Sequence, residues 1–455
     1  MKLAAFDRIV LFIATGLVAA IAGLALIGDR AGIGSGINIV SVTPPNGSAP
    51  SMATSVQIEF GQAMNHQSVQ ERFIIQPAAN GQFNWNGNSF TFKPDHLLMS
   101  QQTYSVTLAQ GAETAVGSQT NHPFKWSFKP RSPSVVYITG VPGQAQIVRT
   151  ISLDSGERRD LFTSSSTILD LAASPDGLKI ALTLLGDGGK SDIWLIDTTT
   201  GKNRQSLGCA PSSCSTPVWS PNGRLIAYQR NEPTPNHASG FDRVWLYDLA
   251  SGQTQPAFQD NQVLGVGPVW SINSRRLAFI DDNASGIRVT DLVDQQAFLV
   301  PDPLGNDTGS FSPDGNSLVF TKKTSDIGQF GVHLWLAQLG KTPTFAPLLT
   351  GNETFQDSLP AWSPDDQWIA FLRTSPDHPH QDQVTLYQRS TSQLIPLTDQ
   401  DNYGSLVWDM TGQYLMIQRF LFDANRTSEI WIYEFTASRT GRRLVENGTN
   451  GQWMP

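Results

Sequence analysis

The stretch PVWSPNGRLIAYQR, residues 217–230, decides how the larger part of this chain folds. A short apolar run ends at Trp219, the chain turns on Ser220-Pro-Asn-Gly, and a second apolar run restarts at Leu225. Pro fixes φ and Asn-Gly accepts the positive φ of a tight turn, so the phrase reads as strand, hairpin turn, strand. The same phrase recurs at Ser174-Pro-Asp-Gly, Ser271-Ile-Asn-Ser, Ser312-Pro-Asp-Gly, Ser363-Pro-Asp-Asp and Asp409-Met-Thr-Gly, at intervals of 46, 51, 41, 51 and 46 residues. A fixed period of this size belongs to units that cannot bury their own apolar face and must stack on copies of themselves.

Each turn is followed by an apolar strand (KIALTLL, LIAYQR, RLAFIDD, SLVFTKK, WIAFLRT, YLMIQRF) and, after a variable gap, by a third (DIWLIDTTTG, RVWLYDLASG and their counterparts). A weaker fourth run leads to the next turn. Four antiparallel strands per unit, repeated radially, make a β-propeller. Trp219, Trp270, Trp362 and Trp408 stand just before their turns and are expected to pack between neighbouring blades, each burial contributing roughly 2–3 kcal/mol. Residues 134–162 hold three strands without a preceding turn phrase, while GQWMP at 451–455 resembles only the first strand of a unit. Joined, they complete one more blade, so we expect seven blades, closed by Trp453 beside Val135, with six as the alternative; closure removes two exposed strand edges.

The W-S-P-D-G, I-A-F and I-W-x-x-D phrases resemble the TolB-type propeller repeat, over residues 134–455. SINS at 271–274 and DMTG at 409–412 depart from it locally. The resemblance implies envelope protein partners; the TolB N-terminal domain has no counterpart in the sequence, so its translocation role is not carried over.

Upstream, residues 37–131 alternate as seven short runs, INIVSVTP, SVQIEF, RFIIQP, GQFNWNG, SFTFKP, TYSVTLA and FKWSFKP, bounded by Pro, Gly and Asn, the pattern of an immunoglobulin-like sandwich. Their order, with TPPNGSAP and IEFGQAM, resembles the bacterial Ig-like domain of the S-layer SbsA type, which implies a spacer or adhesive module. Trp85 and Trp126 read as core rather than as sugar platforms.

Ile9–Ile27 runs 19 residues without a charge, enough for a helix to cross a bilayer. Lys2 and Arg8 before it favour an inside tail (1–8), with a linker at 28–36 and the bulk of the chain extracytoplasmic; a cleaved secretory signal peptide is the alternative, set against an apolar core longer than the usual one and no clear Ala-x-Ala site. The net charge of −8 and the lack of any Lys/Arg run exclude a nucleic-acid groove. The two cysteines, Cys209 and Cys214, have neither a second CxxC nor a His pair for zinc. They read either as a local disulfide worth roughly 2 kcal/mol or as two surface thiols.

No G-x-S-x-G elbow occurs, which removes the propeller serine hydrolases. His378-Pro-His380 is the tightest histidine pair, but x-Pro-x presets no ligand geometry, so no metal or cofactor is expected there. Asp176, Asp314 and Asp365 recur because turns want them. Length varies most between second and third strands, at 231–242, 324–333, 374–383 and 421–428, all on one face, and such insertions mark binding surfaces. Candidate partner contacts are therefore His237, Phe241, Phe330, His378, His380 and Phe422. The expectation is a single-pass, membrane-anchored scaffold that is not an enzyme and presents a propeller to an envelope protein or cell-wall polymer. The alternative is an enzyme acting on glycans or peptides at the central funnel, which would need paired carboxylates there.

Overall fold

The computed structural model describes residues 37–455 except 101, 202–204, 234–239, 302–306, 327–328, 350–353, 423–426 and 436–438. The chain divides into two compact units between Arg131 and Ser132. The apolar run 9–27 and the linker 28–36 lie outside the described residues; among the described residues no helix is long and apolar enough to cross a membrane.

The seven runs of the first unit are strands β1 (Ile39–Thr43), β2 (Val56–Phe60), β3 (Phe73–Gln76), β4 (Gly81–Asn86), β5 (Ser89–Pro94), β6 (Tyr104–Leu108) and β7 (Phe124–Phe128). They form two antiparallel sheets, ordered β1-β2-β5-β4 and β3-β6-β7. Alternation sets the core: Val56, Ile58 and Phe60 point inward from β2 and meet Phe90, Val106 and Phe128. Trp126 is buried in this core and Trp85 packs against it. One element escaped the alternation argument, a short helix α1 (His66–Arg72), whose N-cap Asn65 accepts the Ser68 amide at 3.2 Å and whose Val69 is buried.

The second unit holds seven four-stranded antiparallel sheets. The first has β8 (Ser134–Thr139), β9 (Gln146–Ser152) and β10 (Arg158–Ser164), with β35 (Thr449–Met454) added beside β8. The second runs β11 (Ile168–Ala173), β12 (Lys179–Leu185), β13 (Ser191–Asp197), β14 (Gln205–Ser206), and the third β15 (Ser213–Trp219), β16 (Leu225–Asn231), β17 (Asp242–Asp248), β18 (Thr254–Pro256). The fourth is β19 (Val266–Trp270), β20 (Arg276–Asp281), β21 (Gly286–Asp291), β22 (Ala297–Pro301), and the fifth β23 (Ser310–Phe311), β24 (Ser317–Asp326), β25 (Gln329–Gln338), β26 (Thr344–Pro347). The sixth is β27 (Gln356–Trp362), β28 (Trp368–Ser375), β29 (His378–Gln388), β30 (Gln393–Pro396), and the seventh β31 (Tyr403–Trp408), β32 (Tyr414–Phe420), β33 (Ser428–Glu434), β34 (Gly441–Glu446). In the first sheet Trp453 of β35 stands opposite Val135 of β8.

One rule governs how the sheets meet. The third strand of each packs on the second strand of the next: Ile193 and Leu195 on Ile226 and Tyr228, Val244 and Leu246 on Leu277 and Phe279, Ile287 and Val289 on Leu318 and Phe320. Leu334 meets Ile369 and Phe371, and Val384 and Leu386 meet Leu415 and Ile417. The seventh sheet obeys it with the first, Ile430 and Ile432 packing on Val135 and Tyr137. The ring position in the I-A-F phrase is thus the deepest layer: Tyr137, Tyr228, Phe279, Phe320 and Phe371 are all fully buried.

The turn phrase is a hydrogen-bonded cassette. Ser312 Oγ donates to Asp314 Oδ1 at 2.6 Å and accepts the Ser317 amide at 2.9 Å, while Asp314 Oδ1 accepts the Asn316 amide at 2.9 Å. Ser174, Ser220, Ser271 and Ser363 repeat it. The fourth turn residue is left-handed in all six copies: Gly177, Gly223, Ser274, Gly315, Asp366 and Gly412 lie at φ 59–75°. The departures in SINS and DMTG therefore leave the backbone of the turn unchanged; Asp409 stands in for the serine, accepting the Tyr414 amide at 2.8 Å.

The tryptophans before the turns reach across to the preceding sheet. Nε1 of Trp219 donates to Ala172 O (3.1 Å), of Trp270 to Val218 O (3.1 Å), of Trp408 to Ala361 O (3.0 Å) and of Trp453 to Val407 O (2.9 Å). Trp362 differs: its turn carries Asp366 where most have Gly, and the indole donates to that carboxylate at 2.8 Å.

Candidate binding face

Antiparallel pairing sends the turn cassettes and the third-to-fourth turns to one end of every sheet. The second-to-third hairpins and the connections to the next sheet lie at the other. That hairpin end carries the length variation, and it differs from the expected loops. In the segment 324–333 the described residues belong to a ladder, β24 and β25 pairing from Ser317–Gln338 to Asp326–Gln329. Likewise 374–383 is β28 and β29, paired out to Ser375 and His378. In both, cross-strand pairing carries the ladder outward beyond the second strand's apolar run.

His378 and His380 are accordingly exposed residues of β29, and Phe330 lies in β25, its side chain outside what the structure describes. His237 lies outside the described residues. Phe241 and Phe422 stand free in solvent, 74% and 81% exposed. Phe241 is held at a defined place: the Asn231 amide donates to Gly240 O (3.0 Å) and Asp242 Oδ1 (3.0 Å) and accepts the Gly240 amide (2.9 Å), clamping the chain on both sides of the ring. Beside Phe422, the Leu421 amide donates to Thr427 O at 2.8 Å. Among the described residues no three His, Cys, Asp or Glu side chains gather for a metal.

Ion pairs stiffen the bases of these hairpins. Arg373 grips buried Asp357 with two bonds of 2.8 and 3.1 Å, its guanidinium lying over Phe355 and Phe371. In the seventh sheet Arg419 bonds Asp401 and lies 3.4 Å from Glu429, which also pairs with Arg443 at 2.6 Å. Burial works to raise the Glu429 carboxyl, yet Arg443, Trp431 and Arg419 hold it below the usual carboxylate range.

An edge strand in six of the sheets is irregular at this end. β11, β15, β19, β27, β31 and β35 all carry a register shift, with left-handed Thr216, Gly267, Leu359 and Asn450 in four of them. Pro217, Pro268 and Pro360 follow three of those residues, tolerated because a first strand has one edge free of ladder bonds. Two carboxyls sit here. Asp307 accepts from Gly309 N (3.0 Å), Thr321 Oγ1 (3.0 Å) and Leu359 N (3.2 Å) of the next sheet, and burial pushes its pKa up. Asp170 accepts the Leu171 amide at 2.8 Å, has no cation at ion-pair distance among the described residues, and is pushed by burial to about 6.

A cavity of about 430 Å³ opens beside the second sheet. Phe162, Leu184, Trp194 and Ile196 form its apolar wall; Lys190, Asp192 and Ser212 line it with polar groups. The far wall, Ala210 to Ser212, is closed by a disulfide between Cys209 and Cys214, both buried rather than surface thiols. Three tethers hold this small ring: Lys190 Nζ donates to Pro211 O, Ser191 Oγ to Cys214 O (2.7 Å), and the Cys209 amide to Asp192 Oδ1 (3.3 Å). Sequence reading saw the cysteine pair but not the cavity, since nothing in DIWLIDTTTG signals that Trp194 faces a void.

Residues 34–129 match the bacterial Ig-like domain family. An uncharacterized peptidase, YuxL, of Bacillus subtilis is 27% identical over 24% of this chain, and the match spans only 17% of that protein's length. An uncharacterized protein of Agrobacterium fabrum, Atu1656, is 26% identical over 46% of this chain and 70% of its own length. Among solved structures, TolB from Acinetobacter baumannii is similar at 15% identity and a TM-score of 0.44, covering 84% of this chain and 83% of that one.

Proposed function

We propose that the seven sheets are seven blades of a closed propeller, that residues 9–27 anchor it in a membrane, and that the hairpin end is a docking face for an envelope protein or cell-wall polymer. The closed count is supported by β35 pairing with β8 and by the seventh sheet packing on the first through the same contacts as every other neighbour. The extracytoplasmic placement is supported by the disulfide, which persists in oxidising compartments. No enzymatic step is assigned; the funnel-enzyme reading attaches to Asp170, whose carboxyl near 6 suits proton transfer.

One observation carries the docking role: Phe241 and Phe422, two large aromatic side chains left exposed, project from the same end of their sheets, one of them clamped on both sides. The test is crosslinking in intact cells followed by recovery on isolated cell-wall sacculi and by mass spectrometry of crosslinked proteins, comparing the full chain with a Phe241→Ser, Phe422→Ser double variant. Loss of the recovered partner supports the face; equal recovery by both chains overturns it.

A further inference from the structure

We propose that the cavity beside the disulfide ring is a binding site for a small amphipathic carboxylate, an apolar body carrying an anionic head. Its body is selected by the aromatic and aliphatic wall of Phe162, Leu184, Trp194 and Ile196, in a cavity whose volume of about 430 Å³ is within the range of small-molecule sites. Its head is selected by charge. Lys190 lines the cavity and is exposed, and its ammonium gives one hydrogen to Pro211 O while forming no ion pair among the described residues. An ammonium has three donors, so two remain for an incoming oxygen.

Asp192 also lines the cavity, but it is bonded to three other donors, the Ser206 hydroxyl, the Ile193 amide (2.8 Å) and the Cys209 amide (3.3 Å), and forms no ion pair with Lys190 among the described residues. Ser191 is likewise taken up by Cys214 O and Ser213 Oγ. The disulfide has a part in this site: it fixes Ala210 and Ser212 as the wall and Pro211 O as the group that orients the ammonium. Opening it frees that wall.

The site is separate from the hairpin phenylalanines, and its test separates them. Binding of 3-phenylpropionate, 3-phenylpropan-1-ol and 3-phenylpropylamine to the full chain is measured by saturation-transfer NMR. The acid is expected to bind about tenfold or more tighter than the amine. Lys190→Gln, a surface change that spares the fold, brings the acid down to the level of the alcohol; Leu184→Trp, which fills the void, removes all three. Reduction of the disulfide weakens the acid as well. N-acetylglycylphenylalanine is run beside the acid: tighter binding by the peptide identifies a chain terminus as the occupant, and tighter binding by 3-phenylpropionate a free acid. Equal binding of acid, alcohol and amine, or acid binding indifferent to Lys190→Gln, overturns the proposal. Binding of the acid is expected to be unchanged in the Phe241→Ser, Phe422→Ser variant, so failure of this site and failure of the phenylalanine docking contacts read out differently.

Discussion

At the scale of single residues, the tryptophans before the turns carry more information than their hydrophobicity. Their recurrence is plain in the sequence, and so is their burial, because an indole at the end of an alternating strand has few other places to go. What periodicity cannot give is the destination of the N–H, since that depends on how far one sheet is rotated against the next. The structure sends three of them, and Trp453 of β35 likewise, to the neighbouring sheet and one, Trp362, back to its own turn. Trp408→Phe therefore leaves the Ala361 carbonyl without its donor and is expected to lower the stability of the larger unit by about 1–2 kcal/mol, read from its denaturation midpoint. Trp362→Phe, which releases only a half-exposed carboxylate to water, is expected to cost less than half as much. Asp170 gives a second test. Its pKa near 6 in the fold exceeds the ordinary carboxyl value of 3.8, so the folded state binds the proton more tightly and stability declines as pH rises from about 4 through 6. Asp170→Asn removes that slope: the two chains match below pH 4, and above pH 6 the variant is the more stable by about 1–3 kcal/mol, the full shift being discounted for partial exposure. Parallel stability curves for the two chains across pH 4–7 count against it.

At the scale of the elements, the turn phrase was legible because its chemistry is local. Ser, Pro and Asp-Gly each act within five residues, and the cassette they build recurs even where SINS or SPDD replaces the phrase, since Ser274 and Asp366 adopt the left-handed φ that Gly supplies elsewhere. Ser312→Ala deletes a buried hydroxyl that donates to Asp314 and accepts from Ser317, and is expected to cost about 1–3 kcal/mol in the same midpoint measurement. A cost below about 0.3 kcal/mol would mean the cassette is ornament to a turn fixed by its backbone alone. The hairpins were less legible. Polar residues around Lys322–Asp326 and Pro376–His380 look like loop, and only cross-strand pairing, invisible in one strand's sequence, carries the ladder out to Asp326 and Gln329 and to Ser375 and His378. Helix α1 was hidden for a related reason: seven residues give too few turns for a 3.6 period to show. The cavity was hidden because it is a gap between elements, and a sequence records side chains rather than the spaces they leave.

At the scale of the whole molecule, the question is whether the seven sheets behave as one body. Each sheet buries its apolar faces only against its neighbours, so an open row would leave the outer faces of the first and seventh sheets wet, with Val135, Tyr137, Ile430 and Ile432 exposed instead of packed together. β35 is the element that decides between the two arrangements. It covers the edge of β8, and its Trp453 ties that sheet to Val407 of the seventh. A chain ending at Gly448 removes both at once, leaving β8 as an unpaired edge. The expected outcome is a lowered thermal midpoint for the larger unit together with faster amide exchange along β8 and β32, on opposite sides of the gap, while β20 and β24 exchange as before. A synthetic peptide of residues 449–455 is expected to restore protection in a concentration-dependent way, by adding back the missing strand. If the shortened chain keeps its midpoint and its β8 amides stay protected, the first and seventh sheets hold without the strand, and the tie between them lies in their apolar faces alone.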